Sequence, residues 1–477
     1  MSPIDDKTGR RRPSREPRVP MPEVDPRIRA QGFGPVGLGY TEEQAFEEAD
    51  RCLQCGRPTC QEGCPVNIDI KGFIAAILDG DPDRGIEIIK ERNQLPAVCG
   101  RVCPQEIQCE GACILAKKGV PVAIGNLERY LGDRDLACSL GDRCVPEVAE
   151  PSGKRVAVVG SGPAGLAAAG ELAIRGHAVT VFESLHAPGG VLAYGIPEFR
   201  LPQIVVDAEV ESLRVMGVEF KMNQVIGRIA TVADLMERDG YDAVFLGLGA
   251  GLPMFLGIPG EGLSGVFSAN EYLTRVNLMH ANEFPRAATP TWRGNRIVVI
   301  GGGNVAMDAA RTALRLGAAK VSLVYRRTRA EMPARVEEIH HALEEGVELL
   351  ELTAPIAIEG DAGFVPGLRC RKMELGEPDE SGRRRPVEIA DSEHVVDCDT
   401  VIMAVGTRAN PLASVALPEA ERTDRGYLSV DETGMTSVEG VWAGGDIVTG
   451  SATVILAMGA GRSAAQAMDA WLREGRA

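Results

Sequence analysis

The sequence predicts an α/β protein, with an all-helical, cysteine-rich N-terminal domain followed by two nested Rossmann-like domains. Three observations lead there. Eight cysteines crowd into two short runs between residues 52 and 113. Two glycine-rich loops each follow an apolar strand pattern and open an Ala-rich helix pattern, the context in which such a loop signals dinucleotide binding. A third segment near the C-terminus, VWAGGDIVTGSATVILAMGAGRSAAQAMDAWL, has a strand end and a long helix but no βαβ unit of its own. This suggests that one nucleotide domain is inserted into the other.

Bulk properties narrow the function classes. The chain has 477 residues, 44% hydrophobic and 25% charged, as expected of a globular protein with several domains. A net charge of −16 and an aromatic content of 4% argue against nucleic-acid binding. No stretch is apolar and long enough to span a bilayer. Residues 1–40 are polar, basic and proline-rich, without the apolar core of a signal peptide, and are expected to form a flexible arm. Twelve cysteines without a leader fit a cytoplasmic location, where thiols stay free for metal rather than forming disulfides.

Residues 41–150 form the expected helical domain. Thr41 is placed to cap a first helix, and IKGFIAAILDG and PDRGIEIIKERN read as two short helices broken by Gly80 and Pro82. The first cysteine run is Cys52, Cys55, Cys60 and Cys64, followed by Pro65. The second is Cys99, Cys103 (followed by Pro104), Cys109 and Cys113. Four soft thiolates per run suit iron–sulfur clusters. Zinc would satisfy the same thiolates but gives no reason for two neighbouring nucleotide sites. Cys138, Cys144, Cys370 and Cys398 are scattered and read as structural.

Residues 151–290 begin the first nucleotide domain. Gly160-Ser161-Gly162-Pro163-Ala164-Gly165 follows the strand VAVV, and Glu183 ends the next strand 18 residues after Gly165. The first glycine makes the turn, the second lets the backbone approach a pyrophosphate, and the third allows close helix–strand packing. A carboxylate at the second strand end binds ribose hydroxyls, so this is read as an FAD site. Gly189 and Gly190 give a second close-approach turn. Residues 405–477 return to this domain, with Gly445 and Asp446 opening the closing helix toward the flavin.

Residues 291–404 hold the second loop, Gly301-Gly302-Gly303-Asn304. Here the second strand ends in Arg326 and Arg327 instead of an acid. Arginines bind a 2′-phosphate that an acid would repel, so the site is read as NADP(H)-binding. The stretch 376–386 reads as a surface hairpin loop. Residues 151–477 hold no C-x2-C pair, so a dithiol route away from the flavin is excluded and the cysteine runs offer another.

RCLQCGRPTCQEGCP, LPAVCGRVCPQEIQCEGAC, VAIGNLERY, YGIPEFRLP, GGGNVAMD and AGGDIVTG carry a family resemblance from about Gly39 onward. The chain resembles the small (β) subunit of NADPH-dependent glutamate synthase. It is also similar to the N-terminal half of dihydropyrimidine dehydrogenase and to the large subunit of NADH-dependent ferredoxin:NADP oxidoreductase. The resemblance implies nucleotide domains of the glutathione-reductase type, with NADP(H), FAD and two 4Fe–4S clusters. One cluster would use Cys52, Cys55, Cys60 and Cys113. The other would use Cys64, Cys103 and Cys109, with Glu128 as fourth ligand and Cys99 as its competitor. The expected cofactor-binding set also includes Leu192, Arg200, Gly249, Gly406 and Thr453. No catalytic side chain is expected, because the cofactors carry the chemistry. The implied partner, in a hetero-oligomer, is the glutamate synthase α subunit. The alternative is a small flavoprotein subunit with ferredoxin, in an electron-bifurcating oxidoreductase.

Overall fold

The computed structural model describes residues 13–117, 119–380 and 382–474. Helices Glu42–Ala49, Ile70–Leu78, Pro82–Lys90, Pro96–Val102 and Ile124–Ala137 build the N-terminal domain. Their starts follow local chemistry. Thr41 and Gln44 form a reciprocal capping box, and Asp69 and Asp81 each accept from a backbone N–H of the first turn. Apolar residues at helical spacing, such as Phe73, Ile74 and Ile77, face the shared core.

The first nucleotide domain begins with β1 (Arg155–Val159), β2 (Ala178–Phe182), β3 (Glu219–Lys221) and β4 (Ala243–Leu246). The chain then crosses over through the short β5 (Leu252–Pro253). The second domain holds β6 (Val266–Ser268), β7 (Arg296–Ile300), β8 (Lys320–Val324) and β9 (Glu348–Leu350). An antiparallel sheet follows, of β10 (Thr353–Asp361), β11 (Phe364–Pro378), β12 (Arg384–Glu388) and β13 (His394–Asp397). Finally β14 (Thr400–Met403) completes the second parallel sheet, β15 (Thr407–Arg408) pairs with β5, and β16 (Val441–Ala443) returns to the first.

Two five-stranded parallel sheets result, ordered β16-β4-β1-β2-β3 and β6-β14-β7-β8-β9. In each, the strand that feeds a glycine loop is central, and its two neighbours are reached in opposite directions. A ligand crevice opens at that switch point. The central strands are apolar on both faces, as sheets covered by helices require. Among the described residues no helix is long and apolar enough to cross a membrane.

The structure corrects several expectations. The described part of the arm, residues 13–40, is a packed strap. Arg29 is 4% exposed and ion-paired, so charge complementarity holds a segment whose composition suggested freedom; residues 1–12 lie outside the described residues. The second domain starts at the crossover near residue 252 and not at 291, because β6 pairs with β14. Much of the 376–386 stretch lies in the paired strands β11 and β12. Gly445 and Asp446 open a separate short turn, Asp446–Thr449, while the closing helix runs Val454–Glu474.

Candidate functional site

The two glycine loops are built alike. A Cβ on Gly160 would lie 2.5 Å from the Gly247 carbonyl oxygen, and one on Gly301 would lie 2.3 Å from that of Ala404. Both positions also have positive φ, 99° and 147°, so only glycine fits the turn. Gly162 and Gly303 instead face open space, which leaves their backbone accessible to a pyrophosphate. The third position holds Gly165 in one loop and Ala306 in the other. Helices Pro163–Ile174 and Asn304–Arg315 begin directly after Gly162 and Gly303, so each loop runs into a helix N-terminus, which favours an anion.

A cavity of about 810 Å³ opens at the first loop. Its lining includes Gly160, Gly162, Pro163, Ala164, Glu183, Gly190, Arg200, Gly249, Asp446 and Thr453. Glu183 Oε2 accepts from Ser161 N at 2.9 Å, and Oε1 accepts from Leu185 N at 2.8 Å, so the carboxylate braces the loop as well as facing the cavity. A Cβ on Gly190 would come within 2.7 Å of Gly162 Cα, showing how closely the second turn approaches the first loop. Gly189 N donates to Ser161 Oγ at 3.0 Å. Asp446 Oδ1 accepts from Ala452 N, and burial pushes its carboxyl up. Leu192 is 1% exposed, in the hydrophobic core. Gly406 lies at the crossover, accepting from Met254 N at 3.0 Å.

The same cavity reaches the second domain through Asn304, Val305 and Asp308. Arg200 and Asp308 pair at 2.7 Å across the two domains. Sequence reading did not single out Asp308 or Tyr194, although both lie inside quoted motifs, GGGNVAMD and YGIPEFRLP. Val102 and Pro104, which flank Cys103, also line the cavity and bring the cysteine domain to it.

Arg326 and Arg327 part company. Arg326 is exposed after β8. Arg327 is buried, with Nη2 2.6 Å from Asp379 Oδ2 and Nε donating to the Arg384 carbonyl at 2.7 Å. Its guanidinium is committed to the β11–β12 hairpin.

The cysteines separate into two groups. Cys52, Cys55, Cys60 and Cys113 line one small cavity of about 30 Å³ and are half-buried. Burial, with the neighbouring thiols, pushes Cys52 up to about 11 and Cys60 to about 12. Around Glu128 stand Cys64, Cys99, Cys103 and Cys109, of which all but Cys64 are buried. Cys103 first, then burial, raises the Cys99 thiol. Burial pushes the Glu128 carboxyl up to about 8. Asn93 Nδ2 donates to Glu128 Oε1 at 2.8 Å, while Asn93 Oδ1 faces Cys99 Sγ at 3.8 Å. Packed acids that hold their protons alone are what a cationic metal centre converts into ligands, so the donor sets fit iron–sulfur clusters. Cys370 and Cys398 are buried in the second domain, away from both groups.

Two family models divide the chain. Residues 29–139 match dihydropyrimidine dehydrogenase domain II, 4Fe-4S cluster, and residues 154–465 match pyridine nucleotide-disulphide oxidoreductase. Fold and site thus define an NADP(H)-dependent FAD and iron–sulfur oxidoreductase. The chain is 39% identical to the glutamate synthase [NADPH] small chain of Escherichia coli over 462 residues, 95% of this chain and 97% of that protein. On that evidence the chain belongs to the family of the glutamate synthase small chain. It is also 40% identical to the NADP(+)-dependent formate dehydrogenase subunit beta of Moorella thermoacetica, over 87% of this chain and 60% of that protein. Among solved structures, FprA from Mycobacterium tuberculosis in complex with NADPH shares the fold. Its TM-score is 0.55 at 22% identity, covering 67% of this chain and 84% of FprA.

Proposed function

We propose that this chain is the electron-input subunit of a glutamate synthase. It takes reducing equivalents from NADPH and delivers them to a partner subunit that makes glutamate from glutamine and 2-oxoglutarate. The observation that carries this reading is the shared cavity. The first glycine loop, the start of the second nucleotide helix and the residues flanking Cys103 all line it. When bound, FAD and two 4Fe–4S clusters supply the hydride acceptance and single-electron transfer that side chains cannot.

The protein's own residues bind and orient. The Gly160–Gly165 loop and the helix N-terminus behind it receive one pyrophosphate, and Gly301–Gly303 with Asn304 receive the other. In this reading Arg326, exposed after β8, holds the 2′-phosphate. Cys52, Cys55, Cys60 and Cys113 hold one cluster, and Cys64, Cys103, Cys109 and Glu128 the second. A cytoplasmic location belongs to this reading, since free thiols require a reducing compartment.

Identity to a formate dehydrogenase subunit is as high as to the small chain, and the sequence resemblance supplies a second reading with a different assembly. In it this chain is the large subunit of an electron-bifurcating NADH-dependent ferredoxin:NADP oxidoreductase. Anaerobic purification with iron, sulfide and flavin analysis tests both. About eight irons per flavin, with NADPH-dependent dye reduction and no ferredoxin coupling, supports the glutamate synthase reading. Ferredoxin-coupled NADP reduction, appearing with a co-purifying flavoprotein, replaces it with the second. Zinc without iron refutes both.

A further inference from the structure

The strap, residues 13–40, touches all three domains. On the helical domain, Ser14 N donates to the Asp50 carbonyl and Arg18 pairs with Glu110 at 2.6 Å. On the first nucleotide domain, Val36 N donates to the Phe199 carbonyl at 3.0 Å, and the Phe33 ring lies 6.5 Å from that of Phe199. On the second, Arg29 Nε lies 3.0 Å from Glu345 Oε1 and Nη2 lies 2.6 Å from Glu344 Oε2.

From Arg29 an ordered ladder of charge runs inward. Glu345 is shared with Arg311 and Arg315, each at 2.7 Å. Arg311 pairs with Glu338, Glu338 lies 3.1 Å from Arg200 Nε, and Arg200 pairs with Asp308 at 2.7 Å. Arg200 and Asp308 line the cavity between the two nucleotide loops. The Phe199 ring lies under Arg315 and Arg311, at 3.9 and 4.7 Å. One set of ion pairs, built mostly on the second domain, thus joins the strap at one end to the first domain at the other.

Such a set fixes orientation more than it supplies attraction, because each guanidinium fork accepts its carboxylate in one plane. Removing Arg29 leaves Glu345 to Arg311 and Arg315 alone, so both guanidiniums re-divide its two oxygens and the pairs behind them shift. The end of the ladder belongs to both nucleotide domains, so such a shift moves Asn304 and Asp308 relative to the Gly160 loop. Hydride transfer tolerates little of this, since an error of about 1 Å between reacting partners costs up to about 100-fold in rate.

We propose that Arg29 is a positioning residue for hydride transfer. Through Glu345, Arg311 and Glu338 it holds the second nucleotide domain at its working distance from the flavin cavity. This rests on the NADPH-to-flavin reading above.

The test is anaerobic stopped-flow reduction of the cofactor-loaded full chain by NADPH, comparing wild type, Arg29→Ala and Arg29→Lys. Arg29→Ala is expected to lower the limiting rate of flavin bleaching about ten-fold or more. The NADPH dissociation constant, flavin content and iron content should change little. Amide hydrogen exchange should rise in helices Asn304–Arg315 and Val336–Glu344, and Arg29→Lys should recover part of the rate. An unchanged limiting rate in cofactor-replete Arg29→Ala overturns the proposal. If Arg29→Ala does not fold, Arg29→Gln, which keeps the bulk of the side chain but loses the guanidinium fork to Glu345, decides in the same way by its limiting rate. Wild type that NADPH fails to reduce refutes the underlying functional reading instead.

Discussion

Gly165 shows how little room the first glycine loop leaves. A Cβ there would stand 1.9 Å from the Gly160 carbonyl oxygen, and one on Gly461 would stand 2.1 Å from that of Ala164. Gly165→Ala is therefore expected to purify without flavin, which the absorbance spectrum reads directly. The Gly461→Ala variant should lose flavin too, by displacing the closing helix. The loop glycines were legible from motif and context, but the demand on Gly461 was not, since it arises where two distant helices cross. The two arginines teach the same lesson. Their position after β8 was plain, but Arg327 is claimed by Asp379, 52 residues later, through a hairpin that local sequence does not place. Arg326→Ala is expected to raise KM for NADPH about ten-fold or more and to leave that for NADH nearly unchanged. Arg327→Ala should lower Tm and spare that preference. Steady-state kinetics with both nucleotides and a melting curve separate the two.

At the level of elements, the two cysteine runs do not fold into two separate groups. The helix pair Ile70–Leu78 and Pro82–Lys90 folds the runs together, so Cys113 from the second joins Cys52, Cys55 and Cys60 from the first. Spacing revealed the runs, while their exchange of members came from family resemblance, because helix packing is not written in cysteine spacing. Cys113→Ser and Cys64→Ser are each expected to lose about half the iron, from different centres with different electron paramagnetic resonance signals. Cys99→Ser should keep its iron, whereas Glu128→Ala should not. Retained iron in Glu128→Ala with loss in Cys99→Ser would reverse the assignment of the fourth ligand. The short β6, three residues long, explains the misplaced domain boundary: its pairing with β14 is a long-range fact.

Across the whole molecule, the strap and its ion pairs make stability depend on acid. Burial alone would push Glu345 up, but Arg311 and Arg315 outweigh it and hold the carboxyl at about 2, against an ordinary value of 4.5. A depressed carboxyl contributes stability above its unfolded value and loses it as pH falls toward its folded one. The expected window of loss is therefore from about 4.5 down to 2, worth roughly 3 kcal/mol. Burial pushes the Asp308 carboxyl up, against the pull of Arg200. Urea midpoints measured across that window should fall for wild type and fall less for Glu345→Gln.

The position of β16 also sets an order of assembly. It is the edge strand beside β4, and the segment that follows it supplies Gly444, Asp446, Thr453 and Ala457 to the flavin cavity. During synthesis the cysteine domain, the first glycine loop and the entire second nucleotide domain leave the ribosome before this segment exists. The cavity therefore cannot close until that segment has been made, after the other strands of both nucleotide domains.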